Sequence, residues 1–226
     1  MGGKVRNNTP DFMIRSIKHI HEKYGQTHFQ LSDSNFTINR TRTIEFCNKM
    51  ISSGLSEKIN FWIQTSISKK LRDDDLELLK KAGLVRISFG VERFSPEFRE
   101  FMKKDGTREE VFECLRRITE KGIKTEINIL INFPNETKQS LEIESDYLLK
   151  ALKYVDFFRI HYLIPIPGTE IFENKKVKTK WYLNEKINFK KTSYYDLAFN
   201  ITSPGLEFNL FDLAPEVVKA NRKFKE

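Results

Sequence analysis

Residues 85–90 of this chain read Val-Arg-Ile-Ser-Phe-Gly, and residues 126–131 read Glu-Ile-Asn-Ile-Leu-Ile. In both stretches polar residues alternate with β-branched or aromatic ones, which predicts strands that have one polar and one apolar face. A strand covered by helices on both sides would be apolar on both faces, so the alternation indicates a different kind of sheet. These two strands are expected at 85–90 and 124–131, and three more are expected at 28–32, 60–65 and 157–162.

Segments with helical periodicity lie between the predicted strands. The first helix is expected to begin after the N-cap Thr9, with Pro10 at its first position, and to stop at Gly25. Four further helices are predicted at 40–52, 73–82, 108–121 and 138–152. Because every crossover is helical, the five strands should form a parallel sheet with helices on its outer side.

Successive residues of a strand point to opposite faces of the sheet, so every second residue shares a face, and we call each such set a parity. The two parities predict where the core and the site lie. One parity should pack under the helices, and it comprises Phe61, Ile63, Val85, Ile87, Phe89, Ile127, Ile129, Ile131, Phe158 and Ile160. The other parity is mostly polar and comprises His28, Gln30, Ser32, Trp62, Gln64, Ser66, Arg86, Ser88, Glu92, Glu126, Asn128, Asn132, Arg159 and His161. Buried polar groups without partners cost about 1–3 kcal/mol each, so these side chains should pair with one another, with water or with a ligand. The predicted fold is therefore an α/β partial (β/α) TIM-type barrel with a polar cavity.

Composition excludes several classes of protein. The 226 residues include 28 aromatic ones, enough for a substantial core, and a disordered chain would lack them. The net charge of +8 is local: residues 173–191 carry +5 and residues 219–226 carry +3, as expected of a solvated surface. We find no apolar stretch of membrane-spanning length, no apolar signal core after Met1 and no nucleic-acid-binding motif, and we expect a cytoplasmic protein.

Four short motifs follow carboxyl ends of predicted strands, where parallel α/β folds bind ligands. They are Ser-Asp-Ser-Asn-Phe at 32–36, Phe-Gly-Val-Glu-Arg at 89–93, Asn-Phe-Pro-Asn-Glu-Thr at 132–137 and Pro-Ile-Pro-Gly-Thr at 165–169. With Lys-Lys-Ala-Gly at 80–83, their order and spacing resemble the radical S-adenosylmethionine (SAM) superfamily, especially the branch that often carries a cobalamin-binding domain upstream. The resemblance covers residues 4 to about 172 and is uninformative about the substrate.

The resemblance implies a barrel that binds SAM beside a four-iron cluster. In the superfamily, a Cys-x3-Cys-x2-Cys loop after the first strand holds the cluster, and the fourth iron binds SAM. Carried over to this sequence, Asp33 would face the methionyl amino group, and Glu92 would contact the ribose or methionyl part. Asn132 and Pro134 match the segment beside the adenine, and residues 161–163 match the end that stacks on it.

These correspondences and the polar parity give one set of expected cofactor-binding residues: Asp33, Gln64, Ser66, Glu92, Asn132, Pro134, His161 and Leu163. No catalytic residue and no metal ligand is assigned. The expected organisation is a partial radical-SAM-like barrel over residues 1–172 and a basic C-terminal extension over 173–226.

Several departures from the superfamily pattern stand out. The cysteine motif is absent, and Cys47 and Cys114 fall on apolar helix faces, where core thiols are expected. The first strand of the superfamily barrel is also missing, and the sequence begins just downstream of where the cluster loop would end. We therefore expect a fragment, a truncation or an alternative start, with the [4Fe–4S] cluster held by the full-length parent. Arg93 replaces a small hydroxyl residue, which would alter the cofactor contact, and Asn132 replaces a glycine.

Structural interpretations compete with functional ones at some of these residues. Asp33 could be a turn residue or helix cap, and Glu92 could pair with Arg86 or Arg159 instead of, or besides, contacting a ligand. Glu126 and Asn128 lie deeper, which favours a structural hydrogen-bond network.

Three functions remain open on the sequence. The leading one is the catalytic-barrel portion of a radical SAM enzyme, with a small-molecule substrate, a reductant protein for the parent and cobalamin as a further cofactor option. The second is a non-radical barrel enzyme that uses Asp33, Glu92 and His161. The third is a non-catalytic scaffold that pairs with a partner through an exposed strand edge.

Overall fold

A computed structural model describes residues 7–67, 71–131, 133, 136–163 and 169–170. The strands are β1 (His28–Leu31), β2 (Asn60–Thr65), β3 (Leu84–Glu92), β4 (Lys124–Ile131) and β5 (Phe157–Tyr162). The helices are α1 (Pro10–Tyr24), α2 (Arg40–Ser52), α3 (Asp73–Lys81), α4 (Pro96–Phe101), α5 (Arg108–Glu120) and α6 (Lys138–Ala151). Short 3₁₀ turns span Phe36–Ile38 and Leu55–Glu57.

The five strands form one parallel sheet in the order β1-β2-β3-β4-β5. Within the described residues the sheet is not closed, and β1 and β5 are its edges. Consecutive parallel strands joined by helices are the repeating unit of a (β/α) barrel. The architecture is therefore the partial barrel that the sequence predicts.

Local sequence signals explain where the helices begin. The Thr9 hydroxyl accepts a hydrogen bond from the Phe12 amide at the start of α1, and the left-handed Gly25 ends that helix. Thr107 and Thr137 cap α5 and α6 in the same way. The six-residue helix α4, which follows Ser95 and begins at Pro96, is not among the helices predicted from the sequence.

The apolar core lies between the sheet and the helices. Phe61, Ile63, Ile87, Phe89 and Ile127 are fully buried there. None of the described helices has the length and apolarity needed to cross a membrane.

Val85 is the error in the predicted core. Its side chain is 39% exposed, and Leu84 is buried instead. The reason is a register shift between β2 and β3: Phe61 pairs with Leu84, but Trp62 pairs with Arg86. Because two residues on one strand oppose one on the other, the alternation is interrupted.

Candidate functional site

A buried carboxylate anchors the polar face of the sheet. Glu126 is 2% exposed, and its Oε1 lies 2.9 Å from Nε of Arg159, while its Oε2 lies 3.4 Å from Nη1 of Arg86. The Ser88 hydroxyl donates a hydrogen bond of 2.9 Å to the same carboxylate. A buried charge is tolerated when it is paired and hydrogen-bonded in this way. Glu126 is thus part of the predicted structural network, and Arg86 and Arg159 pair with it.

The network continues towards the carboxyl ends of the strands. Asn128 Nδ2 donates hydrogen bonds to Ser88 Oγ, at 3.0 Å, and to the Phe89 carbonyl oxygen, at 3.2 Å. Asn128 Oδ1 lies 3.3 Å from Nε2 of His161, whose side chain is exposed on β5. The predicted site residue His161 is therefore connected to the buried carboxylate through two intermediate side chains.

The end of β3 places a second carboxylate on the polar face. A register shift separates Gly90, which pairs with Asn128, from Glu92, whose backbone has the left-handed φ of 65°. A Cβ atom added at Gly90 would lie 2.5 Å from Oε1 of Glu92. Since Gly90 shares the parity of Ser88, the Glu92 carboxylate occupies the place of the missing side chain on the polar face. Backbone strain of this kind costs about 1–3 kcal/mol and is common at functional sites.

Lys104 completes this corner of the site. Its Nζ donates to the Gly90 carbonyl oxygen, at 3.1 Å, and lies 3.2 Å from Oε1 of Glu92. The Lys104 side chain is 35% exposed and that of Glu92 is 17% exposed, so both groups are accessible to solvent. Lys104 is not among the site residues that the sequence predicts. The pair Lys103 and Lys104 shows that positive charge follows α4, but nothing in the sequence places it at the end of β3. Glu92 pairs with Lys104, and neither Arg86 nor Arg159 is its partner.

Two further predicted residues lie at the end of β2. The Asn35 side chain donates to Ser66 Oγ, at 3.0 Å, and accepts from the Thr65 hydroxyl, at 2.7 Å. This contact joins the loop after β1 to the end of β2 and orients the Ser66 hydroxyl. Gln64 is exposed and pairs in register with Ser88, so it lies beside the Glu126 network.

Asp33 engages a helix in this structure. Its Oδ2 lies 3.0 Å from Nη2 of Arg42 on α2, and its side chain remains 24% exposed. Arg42 also donates to the Asn8 carbonyl oxygen and contacts the Met13 sulfur, which ties the loop after β1 to α1. The pair gives Asp33 a structural role, and the remaining exposure leaves room for a ligand contact.

Arg93 is fully buried behind this edge of the sheet. Its guanidinium group lies 4.5 Å from the ring centroid of Phe98 and 5.3 Å from that of Phe133, and it forms an ion pair with Glu136. Glu144 approaches the same guanidinium to 4.0 Å. The resemblance to the superfamily predicts an altered cofactor contact at Arg93. The side chain instead joins β3 to the segment that precedes α6.

The two cysteines do not fit an iron–sulfur cluster. Cys47 and Cys114 are buried free thiols on α2 and α5, and burial raises their pKa values to about 12 and about 11. Cluster ligands are thiolates, which a raised pKa disfavours. In the part of the chain that the structure describes, no group of three His, Cys, Asp or Glu side chains could hold a metal ion.

The remaining predictions fall outside the described residues. Asn132, Pro134 and the motif at 165–168 belong there, as does the predicted C-terminal extension. Leu163 is described, and its amide donates a hydrogen bond of 2.8 Å to the Ile131 carbonyl oxygen, which continues the pairing of β5 with β4.

A parallel sheet with a polar face and accessible acidic, basic and hydroxyl groups at its carboxyl edge is typical of (β/α)-barrel proteins that bind ligands at that edge. Comparison with known proteins identifies the family. Residues 1–147 match the model of the radical SAM superfamily, and the chain belongs to that superfamily.

Similar sequences include enzymes of tetrapyrrole chemistry and methyl transfer. The anaerobic magnesium-protoporphyrin IX monomethyl ester cyclase of Cereibacter sphaeroides is 31% identical over 185 residues, which cover 81% of this chain and 30% of that protein. An uncharacterized methyltransferase of Pyrococcus horikoshii is 24% identical over 172 residues, which cover 76% of this chain and 36% of that protein. The chain thus spans about a third of the length of these relatives.

Solved structures share the fold. The radical SAM methyltransferase TsrM of Kitasatospora setae, with cobalamin and a [4Fe–4S] cluster bound, aligns with a TM-score of 0.59 at 17% identity, over 69% of this chain and 31% of that one. Coproporphyrinogen III oxidase of Escherichia coli aligns with a TM-score of 0.55 at 14% identity, over 98% of this chain and 47% of that one.

Proposed function

We propose that this chain forms the SAM-binding face of the catalytic barrel of a radical SAM enzyme that acts on a small molecule. The observation that carries the proposal is the Glu92 carboxylate, which lies over Gly90 on the polar face beside Lys104. SAM has a ribose diol, whose hydroxyls donate to carboxylates, and a carboxylate of its own, which an ammonium group binds. Glu92 and Lys104 therefore match two functional groups of SAM.

Other polar groups at the same edge extend the proposed binding site. Asn35 orients the Ser66 hydroxyl, and Gln64 and His161 are exposed on the polar face. The exposed part of Asp33 is proposed to contact the SAM amino group, and Leu163 to lie near the adenine. The resemblance adds Asn132 and Pro134 to the adenine end.

The superfamily defines the chemistry that this site would serve. Bound SAM supplies, on one-electron reduction, a 5′-deoxyadenosyl radical that abstracts hydrogen from a substrate. The role of this chain is to hold the adenosyl and methionyl groups in one orientation and to limit access of water to them. Two cysteines cannot supply the three thiolates of the cluster. For the whole enzyme, we propose that a separate reductant protein supplies the electron and that cobalamin is a further cofactor, as in the structure of TsrM.

SAM binding by the 226-residue chain tests the proposal. Titration calorimetry should detect binding of SAM, and Glu92→Gln should weaken it by roughly 10- to 100-fold, because a hydrogen bond to a charged group contributes about 1.5–3 kcal/mol. The matched control is Glu142→Gln on α6, where the side chain is 53% exposed and away from the sheet. Equal affinities of the Glu92 and Glu142 variants would refute the role of Glu92, and failure of the unmodified chain to bind SAM would refute the proposal.

Reconstitution with iron and sulfide under reducing conditions tests separately whether the cysteines of this chain can bind an iron–sulfur cluster. We expect no stoichiometric [4Fe–4S] cluster on this chain, because both of its thiols are buried in the core. An absorbance and iron content that correspond to one cluster per chain would overturn that assignment of the cysteines.

A further inference from the structure

One backbone carbonyl fixes the orientation of the Asn128 side chain. The nitrogen of this amide lies 3.2 Å from the Phe89 carbonyl oxygen and 3.0 Å from Ser88 Oγ. A carbonyl oxygen can only accept a hydrogen bond, so the end of the amide that faces it must be the NH₂ group. The reversed amide would place two acceptors against each other. The oxygen and nitrogen of an asparagine amide are often hard to distinguish, and here the hydrogen-bond network decides which is which.

The orientation of Asn128 determines which nitrogen of His161 carries a proton. Asn128 Oδ1, an acceptor, lies 3.3 Å from His161 Nε2, which must then donate. In a neutral imidazole that donates from Nε2, the other nitrogen, Nδ1, has no proton and is an acceptor. The His161 side chain is exposed near the carboxyl end of β5.

The buried end of the network enforces the same direction. The Ser88 hydroxyl accepts from Asn128 and donates to Oε1 of Glu126. The carboxylate faces the guanidinium groups of Arg86 and Arg159, and it therefore accepts from Ser88. Reversal of the buried link between Ser88 and Glu126 would leave a donor or an acceptor without a partner, at a cost of about 1–3 kcal/mol. All the hydrogen bonds from His161 inward thus point towards Glu126.

We propose that Asn128 is a positioning residue that holds His161 in the Nε2–H tautomer, so that Nδ1 is the hydrogen-bond acceptor offered to a small-molecule ligand. The ligand group that this nitrogen would bind is an N–H or O–H donor. The tautomer follows from contacts within the chain and is independent of the proposed function. The identity of SAM as that ligand rests on the proposed function.

Nitrogen-15 NMR of chain labelled at histidine reads the tautomer directly. Only four histidines are present, and His161→Gln identifies the signals of His161. In the ligand-free chain at a pH where the ring is neutral, we expect its proton on Nε2 and an unprotonated signal from Nδ1. A proton on Nδ1 would overturn the proposal.

Two variants distinguish positioning of His161 by Asn128 from an intrinsic preference of the imidazole ring for the Nε2–H tautomer. Asn128→Leu removes the acceptor, and the two tautomers should then exchange, with loss of the single-tautomer spectrum. Ser88→Ala is the matched control: the Phe89 carbonyl still orients the amide, so the His161 signals should keep the pattern of the unmodified chain. An Asn128→Leu spectrum identical to that of the unmodified chain would refute the positioning role. Far-ultraviolet circular dichroism checks that both variants are folded.

Addition of SAM tests the ligand. We expect the Nδ1 signal to shift with the same dissociation constant that calorimetry gives, while the Nε2 signal keeps its position. If SAM binds and Nδ1 does not move, His161 is not an acceptor for SAM, and this part of the proposal is wrong. If SAM does not bind at all, the proposed function fails, whereas the tautomer is still decided by the spectra of the ligand-free chain.

Discussion

Replacement of Gly90 by alanine tests the geometry of the site with a single methyl group. The new Cβ would lie 2.5 Å from Oε1 of Glu92 and 3.5 Å from Nζ of Lys104. Carbon atoms in favourable contact are about 3.5–4.0 Å apart, so the carboxylate must leave its place over the polar face. Gly90 is not among the residues with a left-handed backbone, and the strand itself tolerates alanine.

The expected effects on binding and on stability differ in size. Displacement of Glu92 would remove one hydrogen bond to a charged group from bound SAM, about 1.5–3 kcal/mol, which corresponds to a loss of affinity of roughly 10- to 100-fold. The partly exposed pair of Lys104 and Glu92 contributes about 0–1 kcal/mol to folding. The gain from a less flexible unfolded chain is about 0.4–1 kcal/mol. The free energy of unfolding should therefore change by less than about 1 kcal/mol.

Calorimetric titration with SAM and urea denaturation of Gly90→Ala measure the two quantities on the same sample. A double variant with Glu92→Gln gives the control, since the methyl group should cost no further affinity once the carboxylate is gone. Unchanged SAM affinity in Gly90→Ala would refute the placement of the Glu92 carboxylate in the binding site. A large loss of stability would instead show that the methyl group disturbs the sheet.

Three other substitutions probe the scaffold by urea denaturation. Gly83→Ala should destabilise the fold by about 1–3 kcal/mol or more, because φ is +103° there and the added Cβ would lie 2.5 Å from the Ile59 carbonyl oxygen; a change below 0.5 kcal/mol would contradict this. Burial, with a smaller contribution from a nearby carboxylate, raises the pKa of Cys47 to about 12, so the free energy of unfolding should fall as pH rises above about 9, where only the unfolded chain loses the proton. Cys47→Ala should make that slope smaller and leave the part that comes from Cys114, whose pKa is also raised; an unchanged slope would contradict this. Arg93→Met should cost about 3–5 kcal/mol, because it removes the guanidinium group that pairs with Glu136 and lies 4.0 Å from the buried carboxylate of Glu144, and a stability equal to that of the unmodified chain would refute the role of these ion pairs.

The sequence predicts most of the fold because the strands alternate and the helix ends carry clear signals. The strands at Asn60–Thr65, Lys124–Ile131 and Phe157–Tyr162 have the predicted bounds, and so does the helix at Arg40–Ser52. The register of parallel strands, however, depends on pairing between distant segments, which a single strand does not encode. Val85 shows the limit, since it follows the apolar parity and yet lies exposed at a bulge.

In the candidate site as well, residues placed by the strand pattern could be predicted from the sequence, whereas residues placed by tertiary contacts could not. Glu126 and Asn128 could be predicted to form a structural network, because they lie in the interior of an alternating strand. Lys104 could not be placed, because it reaches the end of β3 from a loop with no periodicity of its own. The ion pair of Asp33 with Arg42 is likewise a contact between the loop after β1 and a helix face, and no spacing in the sequence reveals it.

Glu92 reaches the polar face by a route that strict alternation does not describe. Counting by twos from Ser88 assigns it to that face, but the bulge pairs Glu92 with Ile129, whose side chain is buried under the helices. The left-handed backbone at Glu92 and the absence of a side chain at Gly90 together return the carboxylate to the polar side. A β-carbon at Gly90 would close that path, and a regular backbone at Glu92 would direct the carboxylate into the core, where its desolvation would cost several kcal/mol. The strained residue and the glycine therefore act as one unit, and this explains why residues 90–92 at the end of β3 hold both the conformational strain and the charge of the site.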